Sequence, residues 1–352
     1  MFKFILYLIL LAYYVGQFTS SNYRIIIHSS TVLLSLGFNI YYIFVLNKGK
    51  IRNTGSIDFF LIYILFCFVS FLWSENFLET IFQSIYILTL YFNIKFFHEN
   101  NKIKSVAYYL SFSILLEFIL IFVRKTGLEL NVFQLFHGVG SIQALISVFI
   151  LYPLKSNNTI LDKSIYIFNF LVLILSSSGK IYLALIAIFI YHFYTQGKYV
   201  SKLIIGLTLF SMITYIIKMW SFYDFGKLEH LGGRLLPWKI MIEKIKASPG
   251  LGYGFPFGDE VYIDSTFTIS NAHNLFIGST LYIGFLGPVL LFLFFVTAFN
   301  NSKNILFLRY LIIGVFVSSM FNISISGKLN IPLIATLLIL TYTFNLKYVE
   351  NK

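Results

Sequence analysis

Residues 271–300 read NAHNLFIGSTLYIGFLGPVLLFLFFVTAFN, and no Asp, Glu, Lys or Arg occurs between His273 and Lys303. A bilayer core about 30 Å thick needs roughly 20 apolar residues as helix, so this stretch is long enough to span one. Working outward, apolar runs of similar length recur with short polar punctuation at about 3–19, 25–46, 57–73, 77–97, 103–123, 138–154, 160–177, 180–195, 202–220, 305–323 and 329–346. With 273–299 that makes about twelve spans, the pair around Gly179 being readable as one broken segment. The predicted class is all-α, a polytopic membrane protein with one long extracytoplasmic segment.

Composition agrees. Of 352 residues, 58% are apolar and 11% charged, against roughly 25% charged in soluble domains. A water-soluble enzyme of this size could not cover its surface. Cys67 is the single cysteine, which excludes an intrachain disulfide and a cysteine-based metal site. The stretch Met1 to Phe18 is too long for a signal h-region and lacks a small-x-small cleavage site, so it reads as an uncleaved first span.

The net charge of +12 would suggest nucleic acid in a soluble protein. Here it sorts by side. With the N-terminus inside, fifteen Lys and Arg fall in cytoplasmic positions and five (Arg24, Arg124, Lys125, Lys180 and Lys328) in short outer loops, so both termini are expected in the cytoplasm. Three regions follow: 1–220 with nine spans, the outer segment 221–272, and 273–352 with three more. The outer segment holds five basic and six acidic residues. Within it Trp238, Met241, Ile242 and Ile245 share one helical face, with Lys239, Glu243, Lys244 and Lys246 on the other. Such a helix is expected on the membrane surface, starting near Pro237 and ending at Ser248-Pro249-Gly250.

Several residues could carry chemistry. Arg234 follows Gly232-Gly233 and precedes the surface helix, where a guanidinium beside free backbone N–H groups suits a phosphate or diphosphate. A snorkelling arginine is the plain alternative. His273 opens the tenth span, where a helix N-terminus favours neutral imidazole able to accept a proton from a hydroxyl; an interfacial packing histidine is the alternative. Lys180, after Ser176-Ser177-Ser178-Gly179, is a second outer cation or a simple anchor. Arg124-Lys125 could touch a lipid diphosphate, Glu117 is an ionisable group within a span, and His137 sits beside Gly138 at an outer mouth. There is no Walker loop, HExxH, GxSxG or cysteine cluster, so no nucleotide or metal cofactor is expected.

Three patches together resemble the bacterial O-antigen polymerase and O-antigen ligase family of integral-membrane glycosyltransferases. They are Leu72-Trp73-Ser74-Glu75-Asn76 with Leu78-Glu79-Thr80, then Gly233-Arg234-Leu235-Leu236-Pro237-Trp238 followed by Ser248-Pro249-Gly250-Leu251-Gly252-Tyr253-Gly254, and Ala272-His273-Asn274-Leu275-Phe276 with Gly284-Phe285-Leu286-Gly287. With Ser178-Gly179-Lys180 they cover roughly residues 70–290 in the family's order. The family usually carries arginine where this chain has Lys180, which keeps the charge and loses the bidentate fork.

The resemblance implies a GT-C-like enzyme of the bacterial inner membrane that needs no cofactor. It would move a glycan from a polyprenyl diphosphate to an acceptor hydroxyl at the outer face, with inversion at the anomeric carbon. It implies Arg234, with Lys180, as the diphosphate grip and His273 as the group that orients or deprotonates the acceptor, with Asn274 and Trp238 as further candidates. Its partners would be the polyprenyl-linked oligosaccharide, the glycan acceptor, the lipid bilayer, a flippase and a chain-length regulator, and no nucleic acid. Polymerase is preferred over ligase because the outer segment has no basic excess with which to grip a phosphorylated lipid core. A flippase or other transporter, a different class, would place its charged residues around a mid-membrane cavity.

Overall fold

The computed structural model describes residues 58–75, 77–98, 159–175, 179–196, 235–255, 261–264, 267–269, 274–303 and 306–320, together with helical residues at 30, 33–34, 36–37, 108, 111–112, 114–115, 144–145 and 147–148. The helices are α1 (Phe59–Val69), α2 (Phe77–His98), α3 (Ile160–Leu175), α4 (Gly179–Gln196), α5 (Leu235–Ala247), α6 (Leu275–Ile283), α7 (Leu286–Asn301) and α8 (Leu306–Ser319). Among the described residues the regular structure is helical apart from one hairpin in the outer segment, β1 (Val261–Asp264) antiparallel to β2 (Phe267–Ile269). The sequence pattern predicts a surface helix in that segment and no strand.

Local chemistry sets the helix starts. Asp58 caps α1, its Oδ1 accepting from the Leu61 amide at 3.1 Å, while its other oxygen accepts from the Tyr91 hydroxyl of α2. Thr159 and Asp162 form a reciprocal box at the start of α3: the Asp162 amide donates to Thr159 Oγ1 at 3.2 Å and the Thr159 amide to Asp162 Oδ2 at 2.8 Å. Asp162 is fully buried and also accepts from the Tyr108 hydroxyl, which ties the 108–115 segment to α3. Asn169 donates to Ser111 Oγ at 2.7 Å along the same seam.

Helix α7 is the hub of the packing, in contact with α1, α6 and α8. Phe60 of α1 meets Phe294 of α7 with ring centroids 5.0 Å apart, and Phe295 meets Phe316 of α8 at 5.1 Å. Helix α4 runs antiparallel along α8. Ile188 faces Gly314, where an added Cβ would lie 2.9 Å from Ile188 Cδ1, and His192 Nδ1 meets the Tyr310 hydroxyl at 2.5 Å.

One expectation changes. The tenth span, expected as one helix over 273–299, is divided at Gly284-Phe285 into α6 and α7. The two spans expected at 160–177 and 180–195 are the helices α3 and α4. Among the described residues no helix is long and apolar enough to cross a membrane. At 1.5 Å per residue α1 is about 16 Å long, and α2 carries Asn93 and Lys95 in its second half. The spans expected at 3–19, 202–220 and 329–346 lie outside the described residues.

Replacing Gly314 by Leu is expected to force α4 from α8 and cost about 1–3 kcal/mol. A lower thermal unfolding midpoint in detergent checks it; an unchanged midpoint would mean that the α4 and α8 seam has room to spare.

Candidate active site

The residues from Ser248 to Phe255 leave α5 and cross over α6 as a strap. The last four carbonyls of a helix have no partner within it, and two of those of α6 are met from this strap. Leu281 O accepts from the Tyr253 amide at 2.7 Å and Tyr282 O from the Gly254 amide at 2.9 Å, while Thr280 O accepts from Gly284 at 2.9 Å. In return the Phe285 amide donates to Pro249 O at 3.1 Å. Within the strap, Ser248 Oγ donates to Gly252 O at 2.9 Å and the Tyr253 hydroxyl to Lys244 O at 3.0 Å.

Glycine is required by both conformation and space. Gly252, Gly254 and Gly284 have φ of 69°, 92° and 65°, a region that side chains rarely adopt. A Cβ at Gly252 would lie 2.6 Å from Leu281 O, one at Gly254 would strike Ser74, and one at Gly284 would strike Gly250 O.

A third chain segment closes the arrangement. Trp73 Nε1 donates to Leu251 O at 3.0 Å. Ser70 Oγ accepts from the Phe255 amide at 2.9 Å and donates to Cys67 O at 2.6 Å, and Thr80 Oγ1 donates to Ser74 Oγ at 2.8 Å. Phe255 is fully buried, edge-on to Tyr282 with ring centroids 5.2 Å apart. Trp73 and Ser74 of the first patch, Ser248 to Gly254 of the second and Gly284-Phe285 of the third therefore meet at the strap. Ser70 escaped the sequence reading because a lone serine near a helix end carries no spacing signal.

The other end of α6 is also fixed. Asn274 Oδ1 accepts from the amides of Phe276 and Ile277 at 2.9 and 3.1 Å, and its Nδ2 donates to Met320 O at 2.9 Å, just past α8. The antiparallel register of α4 on α8, with Ile188 at Gly314 and His192 at Tyr310, sets the start of α4 level with the end of α8. Lys180, second residue of α4, thus shares an end of the bundle with Asn274. Arg234, His273, Glu117, Arg124, Lys125 and His137 lie outside the described residues. In sequence Arg234 immediately precedes α5, and His273 immediately precedes the cap of α6.

Helix α5 packs against α6. Met241 is buried and Trp238 and Ile245 half-buried, as the predicted face requires, but Ile242 is 43% exposed and Ile240 shares the buried side instead. The helix is docked on α6 by a face turned slightly from the one expected. Lys246 and Glu243 pair at 2.8 Å, an exposed contact of little energetic weight. An open groove of about 500 Å³ runs beside them, lined by Lys239, Ile240, Glu243, Lys244, Ala247 and Tyr253. Among the described residues no group of three His, Cys, Asp or Glu side chains could hold a metal ion.

The class defined here is a helical bundle in which a glycine strap joins two short helices at their C-terminal ends. Residues 164–292 match the family model described as O-Antigen ligase, and this match supports assignment of the chain to the O-antigen ligase/polymerase family. The matched region contains Lys180, Arg234, His273, the strap and Gly284, while Trp73 and Ser74 lie before it. A comparison with curated proteins finds no match.

Gly254→Ala is expected to destabilise the fold by roughly 1–3 kcal/mol through positive φ and collision with Ser74, whereas Gly250→Ala meets nothing within 4 Å and should be nearly neutral. Thermal unfolding of the two variants side by side is the check, and equal midpoints would remove the strap from its structural role.

Proposed function

We propose that this chain is a membrane glycosyltransferase that polymerises polysaccharide repeat units, of O-antigen or capsular type, from polyprenyl-diphosphate-linked donors at the outer face of the bacterial cytoplasmic membrane. The observation that carries the reading is the family match over 164–292, supported by the meeting of parts of the three resembling patches at one strap. The membrane setting is supported by the fifteen-to-five charge asymmetry and by the outward apolar side chains of α7, where Val289 and Phe292 are 52% and 51% exposed.

In this reading the acceptor hydroxyl attacks the anomeric carbon of the donor as the bond from that carbon to the diphosphate oxygen breaks. His273 takes the hydroxyl proton. The electron pair leaves with the diphosphate, whose growing charge is held by Arg234 through two parallel N–H bonds, with Lys180 as a second cation. Direct displacement inverts the anomeric centre and needs neither nucleotide nor metal. Helices α5 and α6 support this geometry: their C-terminal ends are held by the strap, and Arg234 and His273 immediately precede their opposite starts in sequence. Asn274, next to His273, is fixed by its Oδ1 accepting from the amides of Phe276 and Ile277 and by its Nδ2 donating to Met320 O.

The ligase reading has one specific observation in its favour, the description of the matched family as O-Antigen ligase. The polymerase reading is preferred on the near balance of five basic and six acidic residues in the outer segment. Cells lacking the protein are expected to carry single repeat units on the final acceptor, seen as loss of the surface glycan ladder. Long polymer stranded on the polyprenyl carrier would instead establish a ligase.

For the residues, Arg234→Ala and His273→Ala should each abolish transfer while the protein still accumulates, and Arg234→Lys should transfer poorly. Asn274→Asp keeps the cap acceptor and loses the donor to Met320 O, so transfer should fall while α6 persists. In vitro transfer with a polyprenyl-linked donor measures all four, and near-normal rates for both alanine variants would move the site elsewhere.

A further inference from the structure

Along α5, Lys239 and Ile240, then Glu243 and Lys244, then Ala247 recur at each helical turn and form a stripe about 12 Å long. With Tyr253 of the strap they line the open groove of about 500 Å³, an ordinary size for a small-molecule site. Its Tyr253 side is fixed in advance. The Tyr253 amide donates to Leu281 O at 2.7 Å and the hydroxyl to Lys244 O at 3.0 Å, which ties this residue to both α6 and the last turns of α5.

The lining is of two kinds. Ile240, Ala247 and the Tyr253 ring are apolar, and the tyrosine hydroxyl hydrogen is already spent on Lys244 O. Lys239, Lys244 and Glu243 supply two ammonium groups and one carboxylate, and Lys246, outside the lining, pairs with that carboxylate at 2.8 Å. The groove is therefore locally cationic, although the outer segment as a whole, with five basic and six acidic residues, is not. An acyl chain in an open groove would stay half in water, which removes much of the gain from burying it. A sugar ring presents apolar C–H faces and hydroxyl edges, so it suits both kinds of lining, and a carboxylate on the ring matches the ammonium groups.

We propose that this groove holds an acidic glycan, a chain of sugar rings bearing carboxylates, with its C–H faces on Tyr253, Ile240 and Ala247 and its carboxylates at Lys239 and Lys244. Lys239 lies toward the start of α5, which Arg234 immediately precedes in sequence, so a glycan hanging from the diphosphate would run along α5 toward the strap. That the occupant is the transferred glycan rests on the glycosyltransferase reading above. The preference for carboxylated sugars rests on the groove.

The test uses the full-length protein in neutral detergent and needs no donor. Trigalacturonate and trimannuronate are titrated in, each beside its methyl ester, which keeps the rings and removes the charge. Wild-type protein should bind at least one of the acids more tightly than its ester by about tenfold, since bonds to charged groups are the stronger ones. Lys239→Gln and Lys244→Gln should each reduce that ratio by roughly threefold or more. Ala247→Glu, at an exposed position, places a carboxylate in the groove and should abolish the preference. Lys303→Gln, in the turn between α7 and α8, should leave it unchanged.

Absence of binding, equal binding of acids and esters, or a preference that survives Ala247→Glu overturns the site. A preference lost equally in Lys303→Gln overturns it too, because it would then be a property of surface charge at large. Glycan transfer measured on the same preparation separates the two proposals. Transfer without preference for the acids removes only this site, and preference without transfer removes only the catalytic reading.

Discussion

The carbonyls at the end of α6 are the constraint on which the rest depends. A helix that stops inside a bundle leaves acceptors that water does not reach, and such groups are costly unless paired. Residues 281–283 of α6 are buried, so the chain must supply donors, and it does so with the backbone of the strap. That choice dictates three glycines, since the strap can approach α6 and Ser74 only where no Cβ intervenes. It also dictates the direction of α5, whose last turn runs into the strap.

From that pairing the geometry of the candidate site follows. Helix α6 is held at both ends, by the strap at Leu281 and Tyr282 and by Asn274 at Met320. Helix α5 shares the strap and packs on α6, so the starts of both helices are positioned by backbone contacts. Trp73 and Ser70 bring α1 to the same point although they precede the matched family segment. The unit that holds the site is therefore larger than the unit that the family match covers.

Much of the helical framework was legible. The apolar runs at 57–73 and 77–97 became α1 with its trailing turn and α2, and Pro237 with Ser248-Pro249-Gly250 bracketed α5 within a few residues. The break at Gly284 was not legible, because a glycine in a long apolar run is compatible with an unbroken helix; only Gly250 O lying against it makes the break necessary. The buried face of α5 was read one step out of phase at Ile242, since the periodicity names an apolar stripe while the partner helix selects which part of it is covered. The patches that make the candidate site were visible as separate motifs. Their meeting was not, because Trp73 and Leu251 are 178 residues apart and a single indole-to-carbonyl bond leaves no pattern in sequence. The hairpin at 261–269 went unseen for a related reason, its strands being only four and three residues long.

The strap also decides which changes the site can absorb. A hydrogen bond such as that from Trp73 contributes on the order of 1 kcal/mol, so losing it leaves the remaining strap bonds in register. A side chain at Gly284 acts differently, because it displaces Gly250 and with it the Phe285 to Pro249 bond formed by the neighbouring residues. Helix α7 begins at Leu286, directly beyond that bond, and touches α1, α6 and α8. A shift at Gly284 is thereby passed to a helix packed against three others. The positions most sensitive to substitution around this site are consequently those with no side chain at all, and their role is to let two pieces of backbone meet.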